Sequence, residues 1–340
     1  MTHFRSLREA ARPTAARLAL VFLCAAAAST LAPTPAAAQQ PLAGRVLRDG
    51  QGVPGVRVQL HRVTRVSRGQ IDSTVSGPGG RFSLRLPAAD TAAGFTVFFS
   101  TAVADGVRYF GPAIHPEQEA EEYAIAVYDT ASSQALADSV RVSRRDVFLI
   151  PDANGAMQVA EILRVRNPAR RTLVAEGRPR VSVTLPPGLE AFEAGEGDRA
   201  DSAQASNTGL ARVGDRAWLT DPLVPGDRDF FFRYRLPAKV KQLPVALGRA
   251  TDTLFVYVRQ PAPDVSATGL GEGTPFTAEG DQFIRYMATA LGPGAPVSVD
   301  WRGPRPPPVD PRWAALAIAG AILAAGVVVA ARRSRGAAAG

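Results

Sequence analysis

Arg81-Phe-Ser-Leu-Arg-Leu86 decides the fold. Phe82, Leu84 and Leu86 alternate with Arg81, Ser83 and Arg85, so an extended chain has one apolar and one polar face here, the signature of a half-buried strand. Val56-Arg-Val-Gln-Leu60 repeats the pattern, with Val56, Val58 and Leu60 opposed to Arg57 and Gln59. The two apolar faces together predict a core. Working outward, Leu42 to Leu47, Phe95 to Phe99 and Tyr123 to Tyr128 alternate or nearly so, and Gly, Pro, Asn and Asp punctuate the runs at sandwich spacing. They predict a first domain over residues 39–130, and the small, polar stretch 131–138 is read as its boundary.

A second set of strands is expected at Ser139 to Ile150, Met157 to Asn167, Arg180 to Leu185, Ala211 to Thr220, Asp229 to Leu236 and Thr253 to Arg259. Phe283-Ile-Arg-Tyr-Met and Pro296 to Trp301 are assigned to the same second domain, residues 139–301. Gly195 to Thr208 has almost no apolar residue and reads as a long loop. No helix of consequence is expected in the body. The fold class is therefore all-β: tandem β-sandwich domains, the second immunoglobulin-like, plus one C-terminal transmembrane helix.

The ends carry the topology. Residues 1–38 combine a basic start, an apolar run from Leu18 to about Leu31, and Ala36-Ala37-Ala38, which predicts a cleaved secretory signal. Residues 313–331 lack any charge and as a helix would span roughly 28 Å, about one hydrocarbon core. Trp313 at the start of the run and Arg332, Arg333 and Arg335 after it predict a single-pass anchor in the inner (cytoplasmic) membrane. The body then lies outside, periplasmic or extracellular, and a short basic tail, 332–340, lies in the cytoplasm. Residues 302–312, rich in Pro, read as an extended spacer.

These positions also explain the charge. The formal net charge is +8, but many arginines flank the two apolar runs, so no nucleic-acid partner is expected. Cys24 is the only cysteine and lies within the signal, which removes disulfides and thiol chemistry from the mature chain.

Residues 44–128 resemble the carboxypeptidase regulatory-like, transthyretin-like domains of exported bacterial proteins. The resemblance rests on Gly44-Arg-Val-Leu47, on Gly52-Val-Pro-Gly-Val-Arg-Val-Gln-Leu60, and on Thr74-Val-Ser-Gly-Pro-Gly-Gly-Arg-Phe-Ser-Leu84. Members of that family usually carry Asp shortly before the glycine of the last motif; here Pro78-Gly79-Gly80 occupies the turn. The resemblance implies a seven-stranded, prealbumin-like sandwich that serves as a folding or interaction module without catalytic activity.

Chemistry-bearing patterns are sparse. His61 and His115 are the only histidines after the signal, fall on different predicted elements and form no HExxH or paired spacing. There is no GxSxG elbow and no P-loop, and Gly269-Leu-Gly-Glu-Gly273 lacks a following helix to bind phosphate. Glu117, Glu119, Glu121 and Glu122 form an acidic run, read as solvated charge against a calcium alternative. No catalytic residue, metal site or cofactor is expected.

One pattern singles out residues. In Asp229-Phe-Phe-Phe-Arg-Tyr-Arg-Leu236, alternation leaves Phe231 opposite Phe230, Phe232, Tyr234 and Leu236; in Thr253-Leu-Phe-Val-Tyr-Val258 it leaves Phe255 and Tyr257 opposite Leu254, Val256 and Val258. Either a loop or the segment 283–301 covers these rings, or Phe231, Phe255 and Tyr257 form an aromatic surface that receives an envelope protein or a glycan. The expected function is binding or scaffolding at the bacterial envelope. A subunit or assembly factor of a membrane complex and a carbohydrate- or peptidoglycan-binding module are the alternatives.

Overall fold

A computed structural model describes residues 40–302 except 65, 88–95, 115–122, 177–178, 196–208 and 279. The expected signal, anchor and tail and the expected spacer beyond Arg302, which ends a strand, lie outside the described residues, as do His115, the four glutamates of the acidic run and nearly all of the expected 195–208 loop. Among the described residues no helix is long and apolar enough to cross a membrane.

The described chain is all-β. Its first part contains β1 (Gln40–Arg48), β2 (Gln51–Gly52), β3 (Arg57–Thr64), β4 (Arg68–Val75), β5 (Arg81–Leu86), β6 (Thr96–Ala104), β7 (Val107–Ile114) and β8 (Tyr123–Ala126). β1 pairs antiparallel with β2 and β5 and parallel with β8, while the other sheet runs β4-β3-β6-β7. The inner faces meet in one core containing Leu42, Phe82, Leu84 and Ile125 from one sheet and Val58, Leu60, Phe98 and Tyr109 from the other. Three glycines of the sequence motifs, Gly44, Gly52 and Gly80, sit at close approaches. A Cβ on Gly44 would lie 2.4 Å from the Tyr123 carbonyl oxygen. Gly80 has φ +73, and a Cβ there would lie 2.3 Å from the Val46 oxygen, so the turn before β5 admits only glycine.

The remainder contains β9 (Thr130–Ala131), α1 (Gln134–Ser139), β10 (Arg141–Pro151), β11 (Met157–Asn167), β12 (Thr172–Leu173), β13 (Ser182–Thr184), β14 (Glu190–Ala194), β15 (Leu210–Val213), β16 (Arg216–Leu219), β17 (Gly226–Leu236), β18 (Gln242–Pro244), β19 (Thr251–Arg259), β20 (Asp264–Thr268), β21 (Thr274–Ala278), β22 (Asp281–Leu291) and β23 (Ser298–Arg302). A seven-stranded sheet, β14-β17-β11-β10-β19-β22-β21, is faced by β13-β16-β15 and β18-β23-β20. The second core between them holds Leu149, Leu163, Phe232, Val256 and Trp301.

Several expectations change. The run 211–220 is not one strand but the hairpin β15–β16, because Gly214, at φ +63, reverses the chain. Residues 131–138 are not a bare connection. They include half of β9 and most of α1, whose start is capped by Ser133 Oγ accepting from the Leu136 N–H and whose Ala137 is buried in the second core. β9 pairs with β12, and Tyr109 Oη, which donates to the Tyr128 carbonyl at 2.9 Å, also lies 3.0 Å from Thr172 Oγ1. Asn167 closes the junction by donating to the carbonyls of Arg171 and Leu223. The strands β4 and β7 were not anticipated: β4 is an exposed edge without alternating apolar residues, and Gly111-Pro112 interrupts β7.

Candidate functional site

The outward face of the seven-stranded sheet collects the residues singled out by alternation. Cross-strand pairing sets one row of Phe231, Ile162, Asp146, Phe255 and Met287, and the next of Arg233, Ala160, Phe148, Tyr257 and Arg285. Phe231, Phe255 and Tyr257 therefore share a face. Phe231 and Phe255 are three strand spacings apart, about 14 Å, with Ile162 and Asp146 between them.

Their exposures differ. Phe231 and Phe255 are half-buried, whereas Tyr257 is only 5% exposed. Tyr257 stacks on Phe148 at 4.6 Å, and Phe276 and Phe283 approach it at 5.3 and 6.4 Å. Tyr257 thus forms part of the floor, with β21 and β22 supplying rings at its side, and the accessible apolar surface is made of Phe231, Ile162, Phe255 and Met287. Met287, opposite Phe255 on β22, is 48% exposed.

Polar groups fix this surface. Arg144 donates through Nε and Nη2 to both oxygens of Asp146, each at 2.7 Å, while its guanidinium carbon lies 4.8 Å from the centre of the Phe255 ring. Tyr257 Oη donates to Asp146 Oδ1 at 3.3 Å. Burial, reinforced by the Asp146 carboxylate, pushes the Tyr257 phenol up to about 12. Arg285 lies over Phe255 and Phe276, at 5.9 and 5.6 Å. Around them run Arg164 with Asp229, Arg166 with Asp227, Arg233 with Glu193, Arg235 with Asp152 and Arg259 with Asp281. Sequence reading missed Arg144, Asp146, Phe148, Phe276, Met287 and Arg285, because only pairing across β10, β19 and β22 brings them to the rings. The signal available was alternation in β22, where Phe283, Arg285 and Met287 share one face.

Beneath this face, the inner side of the same sheet holds a closed polar cluster. Arg145 donates to Glu161 through Nε at 2.8 Å and to the Ala246 carbonyl at 2.9 Å, and Tyr234 Oη donates to Glu161 at 2.7 Å. The Arg145 and Glu161 side chains are 5% and 1% exposed. Burial, then Glu161, raises the Tyr234 phenol well above its ordinary range. These partners use the cluster's polar groups inside the core, and it presents no nucleophile to solvent.

His61 lies on the other large sheet. Its Nε2 is 3.1 Å from Thr101 Oγ1, and its ring stacks on Phe99. Burial first, then Arg108, lowers its proton affinity. Among the described residues no group of three His, Cys, Asp or Glu side chains is arranged to hold a metal ion.

No protein-family model matches the chain, and no curated protein matches it. Among solved structures, a protease-like protein from Parabacteroides distasonis is similar over 49% of this chain and 41% of its own, at 8% identity and TM-score 0.31. An M1 zinc metallopeptidase from Deinococcus radiodurans is similar over 48% and 42%, at 14% identity and TM-score 0.29. The chain spans less than half the length of either, and likenesses at this level carry no argument about activity.

Proposed function

We propose that this chain is a non-enzymatic binding or scaffold protein of the bacterial envelope, anchored by residues 313–331 and exported by residues 1–38. In this reading the first core is the carboxypeptidase regulatory-like, prealbumin-like module of residues 39–130, and the second, immunoglobulin-like sandwich presents the seven-stranded face to a protein partner. The observation that carries it is the combination of half-buried Phe231, Phe255 and Arg285 with exposed Met287. Aromatic, Met and Arg side chains on rigid strands are the types that dominate protein interfaces. The pairing of nearby arginines with carboxylates lowers the net charge that a partner meets.

The test is cross-linked affinity capture of the tagged full chain from gently solubilised membranes, beside a Phe231→Ala, Phe255→Ala, Met287→Ala variant. A defined protein recovered with the parent and lost with the variant is expected. Identical recovery from both would overturn the reading and leave these rings as packing.

A further inference from the structure

The sheet β4-β3-β6-β7 has an outward face of different chemistry. Alternation sends Val58 and Leu60 of β3, and Phe98 and Ala102 of β6, into the first core. Arg57, Gln59 and His61 therefore turn outward with Phe99, Thr101 and Val103. Pairing sets three rows: Val75, Arg57, Val103 and Arg108; Ser73, Gln59, Thr101 and Phe110; Gln70, His61 and Phe99.

The centre of this face is aromatic and amide-bearing. His61 and Phe99 stack with centroids 5.1 Å apart and planes 10° apart, and Phe110 lies 6.0 Å beyond Phe99 with 66% of its surface exposed. Gln59 Nε2 donates to Gln70 Oε1. The upper row is cationic. None of the residues in these rows is Asp or Glu, and among the described residues neither Arg57 nor Arg108 has a carboxylate partner. Asp72 accepts instead from the backbone N–H groups of Ser73 and Arg85, and Asp105, at the β6–β7 turn, is engaged by Arg48.

We propose that this face is a binding platform for an acidic polysaccharide, a chain of pyranose rings that carry carboxylates. The C–H face of a sugar ring packs on an exposed aromatic ring such as Phe110, sugar hydroxyls exchange hydrogen bonds with the amides of Gln59 and Gln70, and each guanidinium donates two parallel hydrogen bonds to a carboxylate. Arg57 and Arg108 stand two strand spacings apart, about 10 Å, close to the length of a disaccharide, so both can be met by one extended chain. A lipid surface fits less well, because the polar groups His61, Gln59 and Gln70 occupy the centre of the face where a membrane contact needs apolar bulk.

The test is calorimetric titration of the full chain in a neutral detergent with oligogalacturonate, with a neutral cello-oligosaccharide and with phosphatidylglycerol vesicles. Oligogalacturonate is expected to bind at least about tenfold more tightly than the neutral sugar. Phe110→Ala, and separately the Arg57→Gln, Arg108→Gln pair, should each weaken that binding about tenfold. All these side chains are exposed, and unchanged melting curves verify the fold. Phe255→Ala should leave the titration unaltered, which separates this platform from the seven-stranded face. Absence of oligogalacturonate binding, equal binding of the neutral sugar, or indifference to all three substitutions overturns the proposal. Binding to the vesicles without binding to the sugar overturns it too, and assigns the face to anionic lipid.

Discussion

Two arginines on the outward face of each large sheet stand in opposite states. On the seven-stranded face Arg164 stands directly across from Asp229 and Arg166 from Asp227, and each pair closes at hydrogen-bond distance. On the four-stranded face Arg57 stands between Val75 and Val103, and Arg108 beyond Val103, so neither meets an acid. The amount of arginine on a face therefore says little about the charge it offers. Strand register decides whether a guanidinium is spent inside the molecule or is open to a ligand, because cross-strand neighbours lie only about 5 Å apart.

The contrast can be broken most severely where a pair is buried. Glu161→Ala leaves the Arg145 guanidinium inside the second core without its carboxylate, and a loss of about 3–5 kcal/mol is expected in denaturant unfolding. Replacing the whole cluster by Arg145→Met, Glu161→Leu and Tyr234→Phe should restore much of that loss, since the buried charges then disappear together. If the triple variant is as unstable as the single one, packing and not charge pairing explains the effect.

At the outer surface of the same sheet, Arg144→Ala removes the two guanidinium donors from the buried Asp146 carboxylate and leaves it only Tyr257 Oη. A loss of about 2 kcal/mol is expected, measured by the same unfolding curves. The Arg57→Gln, Arg108→Gln pair should change stability by less than about 0.5 kcal/mol. A loss comparable to that of Arg144→Ala would show that the four-stranded face has internal partners after all and would erase the contrast.

Titration sharpens it from another side. The Tyr257 phenol is raised from about 10 to about 12, so its neutral form stabilises the fold fully below about pH 10 and that contribution is lost as pH rises towards about 12. Tyr257→Phe should flatten this alkaline loss in melting curves. His61 has the opposite sign. Its proton affinity is held below the ordinary 6.5, so the neutral ring's contribution is complete above about pH 6.5 and declines as pH falls below it. His61→Gln should remove this small acidic slope and leave the alkaline one intact.

The strands were legible where alternation is clean. The runs 81–86 and 157–167 coincide with β5 and β11, because one face of each is uniformly apolar or buried. β4 was not: it has one flank free and, unlike the edge strand β5, little core to contact, so its sequence carries weak periodicity. Of the aromatic residues singled out, alternation set each apart from the other apolar residues of its strand, cross-strand pairing brought all three to one face, and alternation could not rank their exposure. Tyr257 is buried because Phe276 and Phe283 arrive from strands distant in sequence.

What the sequence alone determined is therefore the periodic part: the all-β class, the positions of the cleanly alternating strands, and the side of each strand on which a residue stands. These follow from the two-residue repeat of an extended chain and need no partner strand. Tertiary structure decided everything that depends on which strands meet: the junction through β9 and β12, the closed Arg145–Glu161–Tyr234 cluster, the neutralised Arg164 and Arg166 of one face and the open Arg57 and Arg108 of the other. The reason is that these properties belong to neighbours across a sheet, and register between segments far apart in the chain is written in no local pattern.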